Sequence, residues 1–221
     1  MTRVAVLSAN LGSYDVTMPW TPQRAPAGVT IDVHRFTDAN FPPRRLAMTS
    51  RLQAGLLKMF GHEFVPGYDL YLWVDASCSL LNPDAVAWFL ARIGTADLLL
   101  FRHPDRGSVR EEYEFMKARM ARPGETYLNS RYAGEWLDEQ YAALVAAGHA
   151  EIGLFASTAF LYRNVPTVRA MLKDWWFWKS RYLLHDQLAL PYVVAQSGAS
   201  MRVLEENYLR CPALTFTRKR Q

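Results

Sequence analysis

The residues of this chain that could do chemistry stand where apolar runs stop. Asp75 follows Leu70-Tyr-Leu-Trp-Val74, with Ser77 two positions on. Asp38 follows the stretch Val29–Phe36, and His103 follows Asp97-Leu-Leu-Leu-Phe-Arg102. Asp186 precedes a further apolar stretch. Carboxylates grouped this way suit a divalent cation holding a diphosphate, which asks for hard oxygen ligands. They also suit removal of a proton from a hydroxyl. A departing diphosphate needs a cation or fixed positive charge. Arg44, Arg51 and Lys58 recur every seven residues and would share one helical face. That face is either a cationic strip beside a phosphate or an ordinary hydrated surface, and the spacing alone favours the surface. Each strand-end group has its plain alternative too: a hydrated strand terminus for Asp75, a turn residue for His103, a helix cap for Asp186.

The elements that must position these groups alternate between two periods. Val4–Ser8, Val29–Phe36, Leu70–Val74, 96–102, 154–162 and 201–204 read as strands. The run at 70–74 is apolar throughout, as in a strand buried on both faces. Helices are expected over 44–60, 83–93, 108–119, 136–147, 165–182 and 186–196. The last of these places Asp186 and Gln187 in a first turn. Trp175, Trp176 and Trp178 cluster in one helix, more in the manner of a core than of a stacking platform. Strands alternating with helices argue for one α/β domain, Rossmann-like, with a mostly parallel central sheet flanked by helices. In such sheets ligands sit beyond the carboxyl ends of the strands. Neither a dinucleotide fingerprint nor a P-loop is present.

At 221 residues with 50% hydrophobic content, the chain can bury a full core. The formal net charge is +4, and Arg218, Lys219 and Arg220 supply three of those charges from a basic tail set at 215–221, beyond a domain of 1–214. The body is nearly neutral, which weighs against a broad nucleic-acid surface. Two distant cysteines, Cys78 and Cys211, give neither a disulfide framework nor a zinc site. No stretch approaches the roughly 18 apolar residues of a membrane span. The expectation is a soluble, cytoplasmic protein without stable membrane insertion.

Several motifs, in order, resemble a known family. They are Ala9-Asn-Leu-Gly-Ser-Tyr-Asp15, Phe36-Thr-Asp38, Arg51 and Lys58 with His62, and Leu72-Trp-Val-Asp-Ala-Ser77. Phe101-Arg-His-Pro104 with Arg106 and Glu112, Gly153-Leu154, Tyr162-Arg163, Trp175-Trp176 and His185-Asp-Gln-Leu188 complete the set. The set resembles the glycosyltransferase-like domain of unknown function 616, within the GT-A fold of nucleotide-diphospho-sugar transferases. It spans nearly the whole chain.

The resemblance implies a glycosyltransferase that moves a sugar from a nucleotide-diphosphate donor, UDP-linked in the first instance, to a hydroxyl acceptor. Asn10, Tyr14 and Asp38 would hold base and ribose. Lys58 would face the diphosphate, helped by Arg51 and Arg106. Asp75 stands where the family's metal-binding Asp-x-Asp begins, and Ser77 replaces its second carboxylate. The implied cofactor is Mn²⁺ or Mg²⁺ on Asp75. Gly153 would lie beneath the donor sugar with Gln187 nearby. His103 and Asp186 would be catalytic, Asp186 as base or sugar contact. The acceptor is a glycan, lipid-linked sugar, small molecule, protein or, as a minority option, modified nucleic acid. Two other readings use the same groups: a nucleotide-sugar-binding module without turnover, and a nucleotidyltransferase or diphosphate hydrolase.

Overall fold

Strand β3 (Leu70–Val74) is buried along its whole length. Its alternating side chains divide the core in two. Leu70, Leu72 and Val74 join one apolar cluster, while Tyr71 and Trp73 join the other. A strand with no wet face must lie inside a sheet covered on both sides, and that is its place in the computed structural model, which describes residues 1–13, 15–16, 19–44 and 46–216. Tyr14 and the basic residues Arg218, Lys219 and Arg220 lie outside the described residues.

The first half of the chain runs β1 (Thr2–Asn10), β2 (Val29–Thr37), α1 (Ser50–Phe64), β3, β4 (Cys78–Ser79), α2 (Ala85–Ile93) and β5 (Leu98–Arg102). It continues through α3 (Val109–Met120), α4 (Asn129–Tyr132), α5 (Leu137–Ala146) and β6 (Phe155–Arg163). Last come α6 (Pro166–Arg181), α7 (Leu190–Ser197), β7 (Met201–Leu204) and β8 (Thr215–Phe216). The main sheet has the order β2-β1-β3-β6-β5-β7. Neighbours are parallel except β6, which runs antiparallel to β3 and β5. The α/β class and the mostly parallel sheet agree with the sequence. Leu57 and Met59 of α1, Leu172 and Trp175 of α6 and Val193 of α7 cover one face. Val86, Phe89 and Ile93 of α2, with Cys211, Ala213 and Leu214, cover the other. Val109, Met116, Leu137 and Leu144 form a third cluster between α3 and α5.

The single reversed strand matters for function. The carboxyl ends of β1, β2, β3, β5 and β7 share one edge, and β6 brings its amino end to the same edge. There the pairing of β5 with β6 slips: Leu100 faces Phe160, but Phe101 faces Ala156. The bulge throws Ser157, Thr158 and Ala159 out of register with β5, and bulges re-aim side chains in this way.

Two helix starts differ from the sequence reading. α1 begins at Ser50, not at 44, because Thr49 caps it by accepting from the Leu52 N–H. Arg44 therefore lies off the helix and shares no face with Arg51 and Lys58. Its N–H instead donates to Gln53 Oε1. α7 begins at Leu190, with Pro191 in its first turn, so Asp186 and Gln187 precede the helix and cap nothing. Thr215 and Phe216, assigned by sequence to the tail, pair with Ser79 and Cys78. Among the described residues no helix is long and apolar enough to cross a membrane.

Gly61 sets how closely α1 approaches β1. A Cβ there would stand 2.1 Å from Leu7 Cδ1, inside the core. Overpacking costs about 1–3 kcal/mol, against up to about 1 kcal/mol returned by alanine's helix propensity. Gly61→Ala should therefore lower the denaturant midpoint, with the slope unchanged.

Candidate functional site

Asp75 leaves β3 at the sheet edge, where its N–H donates to the Thr158 carbonyl, 2.8 Å away. Its Oδ1 accepts from Trp73 Nε1 at 2.6 Å and from Lys58 Nζ at 3.4 Å. Among the described residues Oδ2 accepts no hydrogen bond, and the side chain is 35% exposed. Lys58 reaches this point from α1. Its side chain is only 5% exposed, and its ammonium lies 5.8 Å and 5.7 Å from the rings of Trp73 and Trp175. A charge among indoles requires counter-charge. Asp75 supplies part of it, and Asp186 supplies the rest at 2.9 Å.

Asp186 is more thoroughly engaged than Asp75. Oδ1 accepts from Ser157 Oγ at 2.7 Å, which the β6 bulge presents. Oδ2 takes Lys58 and also Lys179 of α6, 3.6 Å away. The carbonyl of Asp186 accepts from Trp175 Nε1 at 2.8 Å. Lys179 reaches the site past Gly55 of α1: a Cβ at Gly55 would stand 2.4 Å from Lys179 Cε. Its ammonium donates to the Leu184 carbonyl.

The charges follow from these contacts. Burial pushes the Asp186 carboxyl up, but the ammoniums of Lys58 and Lys179 and the bonds from Lys58 and Ser157 outweigh it, so Asp186 stays far below the ordinary carboxylate range. Burial disfavours the charged form of Lys58, yet Asp186 and Asp75 together raise its pKa. Lys179 is lowered by burial and by Lys58, with Asp186 only partly compensating. Asp75 is raised, by burial first and by the neighbouring Asp186, against the pull of Lys58. Asp186 is thus a poor base and a good anchor. Asp75, with one oxygen open, is the more basic of the two.

These groups floor an open cleft of ≈ 600 Å³. Ser77, Arg51, Arg106, His103 and Gln187 line it as well. The structure therefore brings Lys58, Asp75 and Asp186 together, and places five more of the expected residues around them. Gln187 Nε2 is buried and has no partner in the described structure. One wall carries a second buried ion cluster. Glu112 of α3, 2% exposed, takes His185 Nε2 at 2.7 Å and pairs with the Arg106 guanidinium. His103 Nδ1 accepts from the N–H groups of Asp105 and Arg106, and its Nε2 lies 3.0 Å from Arg106 Nη2. With Nδ1 accepting two backbone N–H bonds, the ring's one proton belongs on Nε2, and a second proton at Nδ1 is disfavoured. Burial and then the Arg106 charge hold His103 below the usual imidazole range. Through Nδ1 the His103 ring holds the backbone N–H of Arg106.

Three expected residues stand elsewhere. Asn10 clasps Asp15 through its side chain, donating to the carbonyl and accepting from the N–H. It also lines a smaller adjoining pocket of ≈ 170 Å³ with Trp20, Arg35, Phe36 and Thr37. Asp38 uses both carboxylate oxygens to accept from the Gly12 N–H and touches neither cavity. Its work is to fix the loop after β1. Gly153 has φ +104 and faces Arg102, whose Nη1 would lie 2.3 Å from an added Cβ. The chain that approaches Gly153 is thus its own. Sequence reasoning missed Ser157 and Lys179. Lys179 lies one helical turn after Trp175, on the same buried face, and that spacing was the available signal.

The Lys58 ammonium contacts both Asp75 and Asp186, so the two carboxylates are paired to a lysine and do not together form a two-carboxylate site for a divalent ion. No group of three or more His, Cys, Asp or Glu side chains able to hold a metal occurs among the described residues.

No protein-family model matches the chain, and no curated protein matches it in sequence. In three dimensions it is similar to a glycosyltransferase involved in the glycosylation of the major capsid of PBCV-1. The identity is 8%, the TM-score 0.47, and the match covers 94% of this chain and 85% of that one. It is also similar to mouse xyloside xylosyltransferase 1 in its apo form, at 10% identity and TM-score 0.46, covering 92% and 85%.

The His185–Glu112–Arg106 cluster makes a pH prediction. Burial raises Glu112, but the His185 and Arg106 interactions prevail and lower it from 4.5 to about 2. A carboxyl depressed on folding stabilises above its unfolded pKa, and that contribution disappears as pH falls through its folded value. About 3 kcal/mol of stability should fade between pH 4.5 and 2. In Glu112→Gln, denaturation measured across that window should show a correspondingly shallower acid limb.

Proposed function

We propose that this chain is a glycosyltransferase that takes a sugar from a nucleotide-diphosphate donor and passes it to a hydroxyl acceptor. The observation that carries this reading is the convergence of Lys58, Asp75 and Asp186 on the floor of one cleft, at the edge where parallel strands end. The three come from α1, the end of β3 and the segment before α7. The adjoining pocket with Trp20 and Phe36 offers an aromatic recess of a size suited to part of a nucleotide. The ordered resemblance to the domain of unknown function 616 points the same way.

In this reading Asp75 is the base. Its Oδ1 is fixed by Trp73 and Lys58, and Oδ2 accepts from no donor among the described residues. The acceptor O–H proton goes to that oxygen while a bond forms from acceptor oxygen to sugar carbon. The bond from that carbon to the phosphate oxygen breaks, and its electron pair leaves with the nucleoside diphosphate. Asp186, saturated by Ser157, Lys58 and Lys179, positions the ammonium groups. Gln187, which lines the cleft and whose buried Nε2 has no partner among the described residues, would donate to a sugar oxygen.

The test is release of nucleoside diphosphate from a panel of nucleotide sugars. One or more should be turned over above the protein-free rate. Asp75→Asn should cut turnover about 10²- to 10⁴-fold while keeping the thermal shift given by the same donor. A panel that is neither bound nor turned over defeats the assignment, and full turnover by Asp75→Asn removes that residue from the reaction.

A further inference from the structure

Two lysine ammoniums at one carboxylate oxygen are an expensive way to neutralise it. Lys58 and Lys179 are 5% and 6% exposed, and both approach Asp186 Oδ2, at 2.9 Å and 3.6 Å. Buried ion pairs are weak sources of stability, since apolar residues of like volume often pack as well. The fold nevertheless makes specific room for both. Gly55 lets the Lys179 stem cross α1, and the β6 bulge turns Ser157 onto the other Asp186 oxygen. Each ammonium has three N–H donors. Lys58 directs two at Asp75 and Asp186. Lys179 directs one at the Leu184 carbonyl and lies within ion-pair reach of Asp186. That leaves each lysine a donor for the cleft that both of them line. Arg51 and Arg106 line the same cleft.

We propose that Lys58 and Lys179 together supply the fixed positive charge that a divalent ion supplies in metal-dependent transferases, so that the cleft takes its donor's diphosphate without metal. The inference rests on the transferase reading for the identity of the anion, and on the lysine geometry for its place. During transfer the sugar–phosphate C–O bond breaks, its electron pair stays on the departing phosphate oxygen, and the two ammoniums meet the developing charge. No proton leaves either lysine. Held by carboxylates in a water-poor site, they need little reorganisation as the charge appears.

Inorganic pyrophosphate is the direct probe, titrated calorimetrically into the full chain in EDTA and, separately, in excess Mn²⁺. Binding should be present in EDTA, with affinities in the two conditions agreeing within about twofold. Lys58→Met and Lys179→Met should each weaken it about 10- to 100-fold. Lys58→Arg, which keeps the charge between Asp75 and Asp186, should recover most of the loss and controls for misfolding. Binding that requires Mn²⁺, absence of binding in both conditions, or binding indifferent to both Met substitutions would overturn the proposal. The two readings fail separately. Nucleotide-sugar turnover abolished by EDTA defeats the lysine proposal and spares the transferase. Lysine-dependent pyrophosphate binding without turnover of any nucleotide sugar does the reverse.

Discussion

An ammonium set between two tryptophan rings is tolerable only while carboxylates reach it, and Lys58 has two that arrive from different parts of the chain. This requirement ties α1, the end of β3 and the segment before α7 to one point. Loss of either carboxylate would leave buried charge uncompensated. The site is therefore also a structural joint. Leu57 and Met59 pack α1 into the core, and the buried Lys58 lies between them in sequence on the same helix.

The sheet makes such a joint possible. Five strands deliver their carboxyl ends to one edge, and the reversed β6 brings a bulged segment there as well. Ser157 and Thr158 consequently meet Asp186 and Asp75 without any loop of their own. The wall of the cleft repeats the principle at α3, where Glu112 sits buried between Arg106 and His185. Both clusters hold a carboxylate against basic side chains that line the cleft. Side chains held this way are pre-positioned, which is what stabilisation of developing charge requires.

Much of this was legible in the sequence, for identifiable reasons. The apolar run at 70–74 and the strands on either side show their burial directly, since a strand covered on both faces has no polar alternation to confuse. Asp75 and Asp186 could be named because each stands at the boundary of an apolar pattern, and Lys58 because the family resemblance assigned it to the diphosphate. Spacing alone favoured a hydrated face for Lys58, and burial reversed that. Helix starts were misjudged where a cap at Thr49 or a proline at 191 overrode the periodicity. β4, β8 and α4 are too short to carry any period. Asp38 and Gly153 look like ligand residues by type, but their partners are the chain's own Gly12 and Arg102. The antiparallel β6 and its register slip depend on non-local pairing, which no local pattern records.

Gly55 has a consequence of its own. Alanine is ordinarily the mildest replacement available on a helix, and at this position it would act as a wedge. The added methyl would collide with the stem of Lys179 and swing a charge out of place, although no ionisable group had been edited. A single hydrogen in place of a side chain thus serves as the gate through which one helix lends its cation to another's chemistry.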